Sequence, residues 1–239
     1  MGNTSAALLI ALLLCLQSVR GISQDSLSRN TVLYPAAMEV GDVCMAIEVA
    51  MIKMPEAVVE EADTYRWPSL TLDTWLGLPA HFMIDCRLTS QVINWHVQVG
   101  PKWQWSGLSP LEITIGSDVG YFIGGLGSGA FDNSNYSAFF YPNTSVGWRN
   151  ENLAVTLKGE LSYCLAKVDR AGDIEVARTK NFFNGGTISV FLEQPFWGST
   201  NFTLGFRLGY IKYAYQNWLL FPTIQRYYVL PEVMMGIRL

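Results

Sequence analysis

The chain has 239 residues, half of them hydrophobic and only 15% charged, with a formal net charge of −4 and four cysteines. A slightly acidic chain without a basic run excludes nucleic acid as a partner. Widely spaced cysteines without a CxxC argue against a zinc centre or a disulfide framework, and no metal or cofactor is expected.

Residues Ala6–Leu16 form an unbroken apolar run. It is too short to cross a bilayer as a helix, which needs roughly 20 residues. A polar, small-residue stretch, Gln17–Asp25, follows it. This is the pattern of a secretory signal peptide over residues 1–23, with Gly21 and Ser23 supplying the small residues for cleavage. Cys15 would suit a lipoprotein signal only if a small residue preceded it, and Leu14 stands there instead. The expectation is an exported protein with one domain over residues 24–239. No later segment is a long apolar stretch suited to a transmembrane helix.

From there onward the chain alternates with a period of two. Val43, Met45, Ile47, Val49 and Met51 oppose Asp42, Cys44, Ala46, Glu48 and Ala50. Trp95, Val97, Val99 and Trp103 oppose Asn94, His96, Gln98, Lys102 and Gln104, and Leu157, Leu161, Tyr163 and Leu165 oppose Thr156, Lys158, Glu160 and Ser162. Successive strand residues point to opposite faces, so each segment has one apolar and one polar face. About ten strands are predicted: 39–54, 65–78, 81–89, 91–105, 111–124, 136–149, 152–168, 176–193, 201–215 and 225–239. Several exceed the five or six residues usual in globular sheets, whereas about nine to eleven tilted residues cross a bilayer as a strand.

The connections alternate too. Gly77–His81, Ser106–Pro110, Arg149–Asn152 and Gln194–Thr200 are short. Pro55–Thr64, Gly124–Asn135, Asp169–Asn184 and Gln216–Gln225 are expected to be longer, irregular loops, and Thr89–Gln91 is a tight exception on their side. Aromatics gather at both ends, giving two expected girdles: Trp103, Trp105, Trp148 and Trp197 beside the short turns, and Trp67, Tyr121, Tyr213, Trp218 and Tyr227 near the long loops. An indole or phenol prefers the headgroup zone of a bilayer.

Charge chooses the solvent of each face. The apolar parity carries only Lys53 and Lys212, both at strand ends. The other parity carries Asp42, Asp73 and Glu112 together with the candidate lumen residues Glu48, Asp85, Arg87, Asp118, Lys158, Glu160, Arg207, Glu232 and Arg238, and His96 joins them. Both signs interleaved with small residues suit a crowded lumen in which ions pair. Arg87, Lys158, Arg207 and Arg238 are expected to pair with Glu48, Asp85, Asp118, Glu160 and Glu232.

The last strand alternates Val229, Val233, Met235, Ile237 and Leu239 with Leu230, Glu232, Met234, Gly236 and Arg238 and ends on an apolar residue. In this the chain resembles bacterial outer-membrane β-barrel proteins. The resemblance implies an antiparallel up-and-down transmembrane barrel in a Gram-negative outer membrane, reached through the periplasm. It implies lipid and lipopolysaccharide as surroundings, and periplasmic chaperones and the barrel-insertion machinery as partners. A monomer is expected.

Catalytic signals are sparse. A Ser–His–acid site around His96 with Asp85 on the neighbouring strand is conceivable, but no local signature supports an enzyme. Gly124–Gly129 lacks the spacing of a phosphate loop and is expected to be a flexible outer loop. Asn135, Asn143 and Asn201 open N-x-Ser/Thr triplets, which matter only in a eukaryotic source. The expected function is therefore a porin-like barrel with a largely plugged, charge-lined lumen, a structural role or limited passage of small solutes, and outer loops that carry any recognition. A secreted soluble barrel or sandwich with an apolar ligand is the alternative, and an outer-membrane hydrolase a third.

Overall fold

A computed structural model describes residues 33–35, 38–53, 66–91, 93–108, 111–128, 131–150, 152–197, 200–214 and 226–238. The expected leader, residues 1–23, lies outside them. Ten strands form: β1 (Val43–Lys53), β2 (Arg66–Gly77), β3 (Phe82–Ser90), β4 (Asn94–Leu108), β5 (Leu111–Ser128), β6 (Phe131–Arg149), β7 (Ala154–Ala171), β8 (Ile174–Trp197), β9 (Thr200–Ile211) and β10 (Tyr228–Arg238). Each pairs antiparallel with its neighbours in sequence, and β1 closes on β10 through pairs such as Ile47↔Ile237 and Val49↔Met235. Closure gives every strand two partners, so the wall has no open edge.

The two-residue alternation sorts side chains between wall and lumen. On β4, Asn94, His96, Gln98, Lys102 and Gln104 are buried, while Trp95, Val97, Val99, Trp103 and Trp105 are exposed. On β1, Cys44, Ala46, Glu48 and Ala50 are buried, while Val43, Met45, Ile47, Val49 and Met51 are exposed. A soluble barrel runs the other way, with its apolar residues inside.

Two expected loops are corrected. Residues 124–135 and 169–184 are mostly strand: β5 and β6 stay paired from Gly124↔Asn135 to Ser128↔Phe131, and β7 and β8 to Ala171↔Ile174. A ladder needs only backbone groups, so the glycines of Gly124–Gly127 continue β5 without a side chain to pack. The β7–β8 turn is Gly172–Asp173, with Gly172 at φ +58, a conformation glycine adopts without steric cost. At about 3.3 Å per residue, the 24 residues of β8 reach on the order of 80 Å, far beyond a hydrocarbon core of about 30 Å even when tilted. These connections are tall hairpins.

The two largest buried apolar clusters lie in the lumen. Toward the short turns, Leu33, Cys44, Ala46, Ala50, Trp75, Met83, Phe191 and Met234 pack together. On the β5–β7 side, Phe122, Phe139, Tyr141, Cys164 and Tyr213 pack together. Gly120 makes the second cluster possible: a Cβ there would lie 2.6 Å from the Tyr141 ring and 2.8 Å from His96 Nε2. Cys44, Cys86 and Cys164 are free thiols on three different strands.

Candidate functional site: a charged lumen

Ion pairs line the lumen, most of them joining adjacent strands. Asp73 on β2 lies directly opposite Arg87 on β3, and Arg87 Nε donates to Asp73 Oδ1 at 2.7 Å. Lys102 on β4 donates to Asp85 on β3 and lies 3.7 Å from Asp118 on β5. Asp118 also accepts a hydrogen bond from Asn143 Nδ2 at 2.9 Å. Lys158 stands 3.4 Å from Glu160 on β7. Across β9 and β10, Arg207 donates to Glu232 at 3.1 Å.

The pairing agrees with the expected one at Lys158–Glu160 and Arg207–Glu232 and differs elsewhere. Arg87 takes Asp73, and Asp85 and Asp118 share Lys102 instead of meeting Arg87 or Lys158. Parity places a side chain inside, but register decides which inward side chains stand opposite one another. Lys102 and Asp73 were both on the polar parity, so their presence in the lumen was readable while their partners were not. Arg238 is half-buried at the short-turn end of β10.

Nearer the tall hairpins, Lys167 and Asn135 both donate to Asp169, and Tyr213 Oη donates to Asn135 Oδ1 at 2.8 Å. Tyr213 corrects the girdle expectation, because it is buried inside the barrel. β9 ends at Ile211, and the chain then turns inward. There the Tyr213 N–H donates to Asn184 Oδ1 at 2.7 Å, and its carbonyl accepts from Asn184 Nδ2 at 3.0 Å. Tyr213 keeps the inward parity of Gly209 and Ile211, and these two amide bonds hold it there past the end of the ladder. On β7 the alternation is shifted: Ala138 pairs with Ala166 and Phe139 with Cys164, and the extra residue between them resets the strand so that Lys167 is buried.

Between these layers lies a cavity of about 70 Å³ lined by Glu48, Arg87, His96, Tyr141, Glu160 and Arg207 among others. It has room for a handful of waters. His96 Nε2 lies 3.3 Å from Tyr141 Oη, and the imidazole stands edge-on to Phe139. Asp85 pairs in register with Gly100 and His96 with Thr89, so the two residues considered for a hydrolase stand four ladder positions apart. Asn135, Asn143 and Asn201 are buried in the lumen.

The short-turn mouth is occupied by the chain's own N-terminal segment. Leu33 and Tyr34 are buried at 4% and 1% exposure. Glu193 on β8 accepts the Tyr34 N–H at 2.8 Å and the Leu33 N–H at 3.3 Å. The Arg149 guanidinium stacks over the Tyr34 ring at 5.1 Å. No sequence periodicity announces this insertion.

On the outside, Trp103, Trp105 and Trp148 ring the short-turn end, joined by Phe82. Trp95 and Tyr121 ring the other, where Tyr210 stacks on Tyr227 at 4.8 Å. Trp218 and the side chains of Trp67 and Trp197 lie outside the described residues. Among the described residues, the outward wall between these rings carries no charge. Exposed apolar patches on soluble monomers rarely exceed a few hundred Å², and here the apolar surface runs around all ten strands. The chain is a transmembrane β-barrel.

No family model matches the chain, and no curated protein matches its sequence. Among solved structures, it is similar to the translocator domain of the autotransporter NalP from Neisseria meningitidis, with 10% identity over 99% of this chain and 97% of that one at a TM-score of 0.41. It is also similar to Neisserial surface protein A, with 9% identity over 82% and 96% at a TM-score of 0.39. The outer membrane phospholipase A from Escherichia coli shares 10% identity over 91% and 98% at a TM-score of 0.35. These likenesses are distant, and the barrel rests on the chain's own ladders.

Proposed function

We propose that this chain is a monomeric outer-membrane barrel whose lumen is held shut. It serves as a rigid, non-catalytic platform for the tall β5–β6 and β7–β8 hairpins and allows at most limited passage of very small solutes. Two observations support the reading: charges paired along the lumen wall, and Leu33–Tyr34 seated in its short-turn mouth. His96 belongs to a polar and aromatic network in this reading and carries no reaction. Lipid and lipopolysaccharide surround the wall, and periplasmic chaperones and the barrel-insertion machinery deliver it.

Planar-bilayer recording tests the closure. Purified protein is expected to insert without conductance above background, and steady conductance of ions would overturn the shut lumen. Fractionation tests the location: a heat-modifiable band in the outer-membrane fraction is expected, and a freely soluble protein would overturn it.

A further inference from the structure

We propose that the lumen cavity holds one small monovalent cation, an alkali ion or ammonium, beside Glu48. The inference concerns what the cavity keeps and stands apart from whether the lumen passes solutes.

Glu48 sits midway along β1, is 3% exposed and lines the cavity of about 70 Å³. Among the described residues it accepts no hydrogen bond and has no ion-pair partner. The other buried carboxylates among them are all engaged: Asp73 by Arg87, Asp85 and Asp118 by Lys102, Glu193 by the Leu33 and Tyr34 amides, and Glu232 by Arg207. The charges that bear most on Glu48 are Asp73, Arg87, Arg207 and Glu193. Arg87 is bound to Asp73 and Arg207 to Glu232, so neither is left over as its counter-charge. A buried charge without a partner is costly, and the deficit at Glu48 is one positive charge.

The strands bring oxygen ligands to the same place. Register sets Gly236, Glu48, Thr71, Thr89 and His96 in one row across β10 and β1–β4. At Gly236 a Cβ would stand 2.8 Å from Glu48 Cγ, so the bare position makes room for the stem of the carboxylate. On the other side the Thr71 and Thr89 hydroxyls share one hydrogen bond of 3.1 Å. A hydroxyl oxygen carries two lone pairs, so the two threonines keep acceptor sites after that bond is made. Both line the cavity, together with Ser69 and Gln98. Carboxylate, hydroxyl and amide oxygens with a few waters are the ligands a hard cation takes. A proton would need neither the room nor the oxygens. Among the described residues no three acidic, histidine or cysteine side chains converge, so a divalent metal is not the class the cavity suits.

The test is equilibrium unfolding of the full protein in zwitterionic detergent, with sodium, potassium or ammonium chloride replacing choline chloride at constant ionic strength. Screening is then equal throughout, and choline carries the same charge on a body too bulky for the cavity. A ligand that binds only the folded state lowers the unfolding constant by a factor of 1 + [L]/Kd, so the constant should fall about tenfold for each tenfold rise of a bound cation above its Kd. Glu48→Gln should abolish the response while the band stays heat-modifiable. Thr71→Val keeps the carboxylate and should raise the half-saturating concentration by about fivefold. Equal unfolding in all four salts overturns the proposal, as does a response that Glu48→Gln retains. Stability that follows pH and not salt, with the pH response lost in Glu48→Gln, would give the site to a proton and also overturn it. If Glu48→Gln does not fold, an unshifted midpoint in Thr71→Val is the overturning result.

Discussion

The fully buried carboxylate of Glu193 accepts the backbone N–H groups of both Leu33 and Tyr34, tying the N-terminal segment to the eighth strand. An entering segment brings donors that no strand satisfies, and a carboxylate is the strongest acceptor available to them. Hydrogen bonds to a charged group contribute about 1.5–3 kcal/mol each. Glu193→Ala should therefore raise amide exchange at Leu33 and Tyr34 by on the order of tenfold to a hundredfold, with the β-ladders still protected. Unchanged exchange would remove the clamp from the account.

The same segment needs the bare backbone of Gly147. A Cβ there would stand 2.5 Å from both the Tyr34 ring and Pro35 Cδ. Overpacking of this kind costs about 1–3 kcal/mol. Gly147→Val is expected to expel Tyr34 and give the same local exchange as Glu193→Ala. Pairing it with Tyr34→Ala should add little further exchange, because the clash partner is already gone. Protection at Leu33 in Gly147→Val equal to the unmodified protein would contradict this packing.

Alkaline pH should undock the segment. Burial, and after it the Glu112 carboxylate, push the Tyr34 phenol up to about 12, while Arg149 pulls the other way. A tyrosine in water ionises near 10. Below about pH 10 both docked and undocked phenols keep their proton, so the contribution to docking is complete; it is lost as pH rises through about 12. Tyrosinate absorbance should show a late-titrating phenol that disappears in Tyr34→Phe. An identical titration curve in that variant would refute the shift.

Faces were legible in the sequence and depths were not. Parity alone put Glu48, His96 and Lys158 inside and Trp95, Trp103 and Leu157 outside, because a two-residue period is a property of the strand itself. At Tyr213 parity with Arg207 already pointed inward, and the girdle expectation overrode it; at Asp169–Asn184 polar composition resembled a loop but paired as a hairpin. Parity was silent on Glu193 and Leu33, which meet across 160 residues of chain. Register, and insertion of one segment into another, are decided by contacts that no single window contains.

Arg87 and Asp73 test the lumen's electrostatics. Their contact is 2.7 Å, with the aspartate side chain fully buried and the arginine nearly so. Removing one partner of such a pair leaves an uncompensated buried charge, at a cost of about 3–5 kcal/mol. Asp73→Ala should lower the free energy of unfolding from lipid vesicles, read by urea titration, by that amount. The double substitution Asp73→Leu with Arg87→Met should recover most of it, because apolar packing replaces both charges. If the double variant is as unstable as the single one, the pair is doing something other than neutralising itself.

Depth along the outer wall gives the most direct measurement of which solvent meets it. Val119 is 59% exposed and pairs with Val99 near mid-wall, whereas Tyr210, 57% exposed, belongs to the aromatic ring at one end. In water the two sites are equivalent surface positions, and arginine at either would be harmless. In a bilayer, arginine at the midplane costs about 2–4 kcal/mol and near the interface about 0–1 kcal/mol. Val119→Arg should therefore weaken folding into vesicles by that larger amount, and Tyr210→Arg scarcely at all. Equal and negligible effects at the two positions would mean that water, and not hydrocarbon, covers these strands.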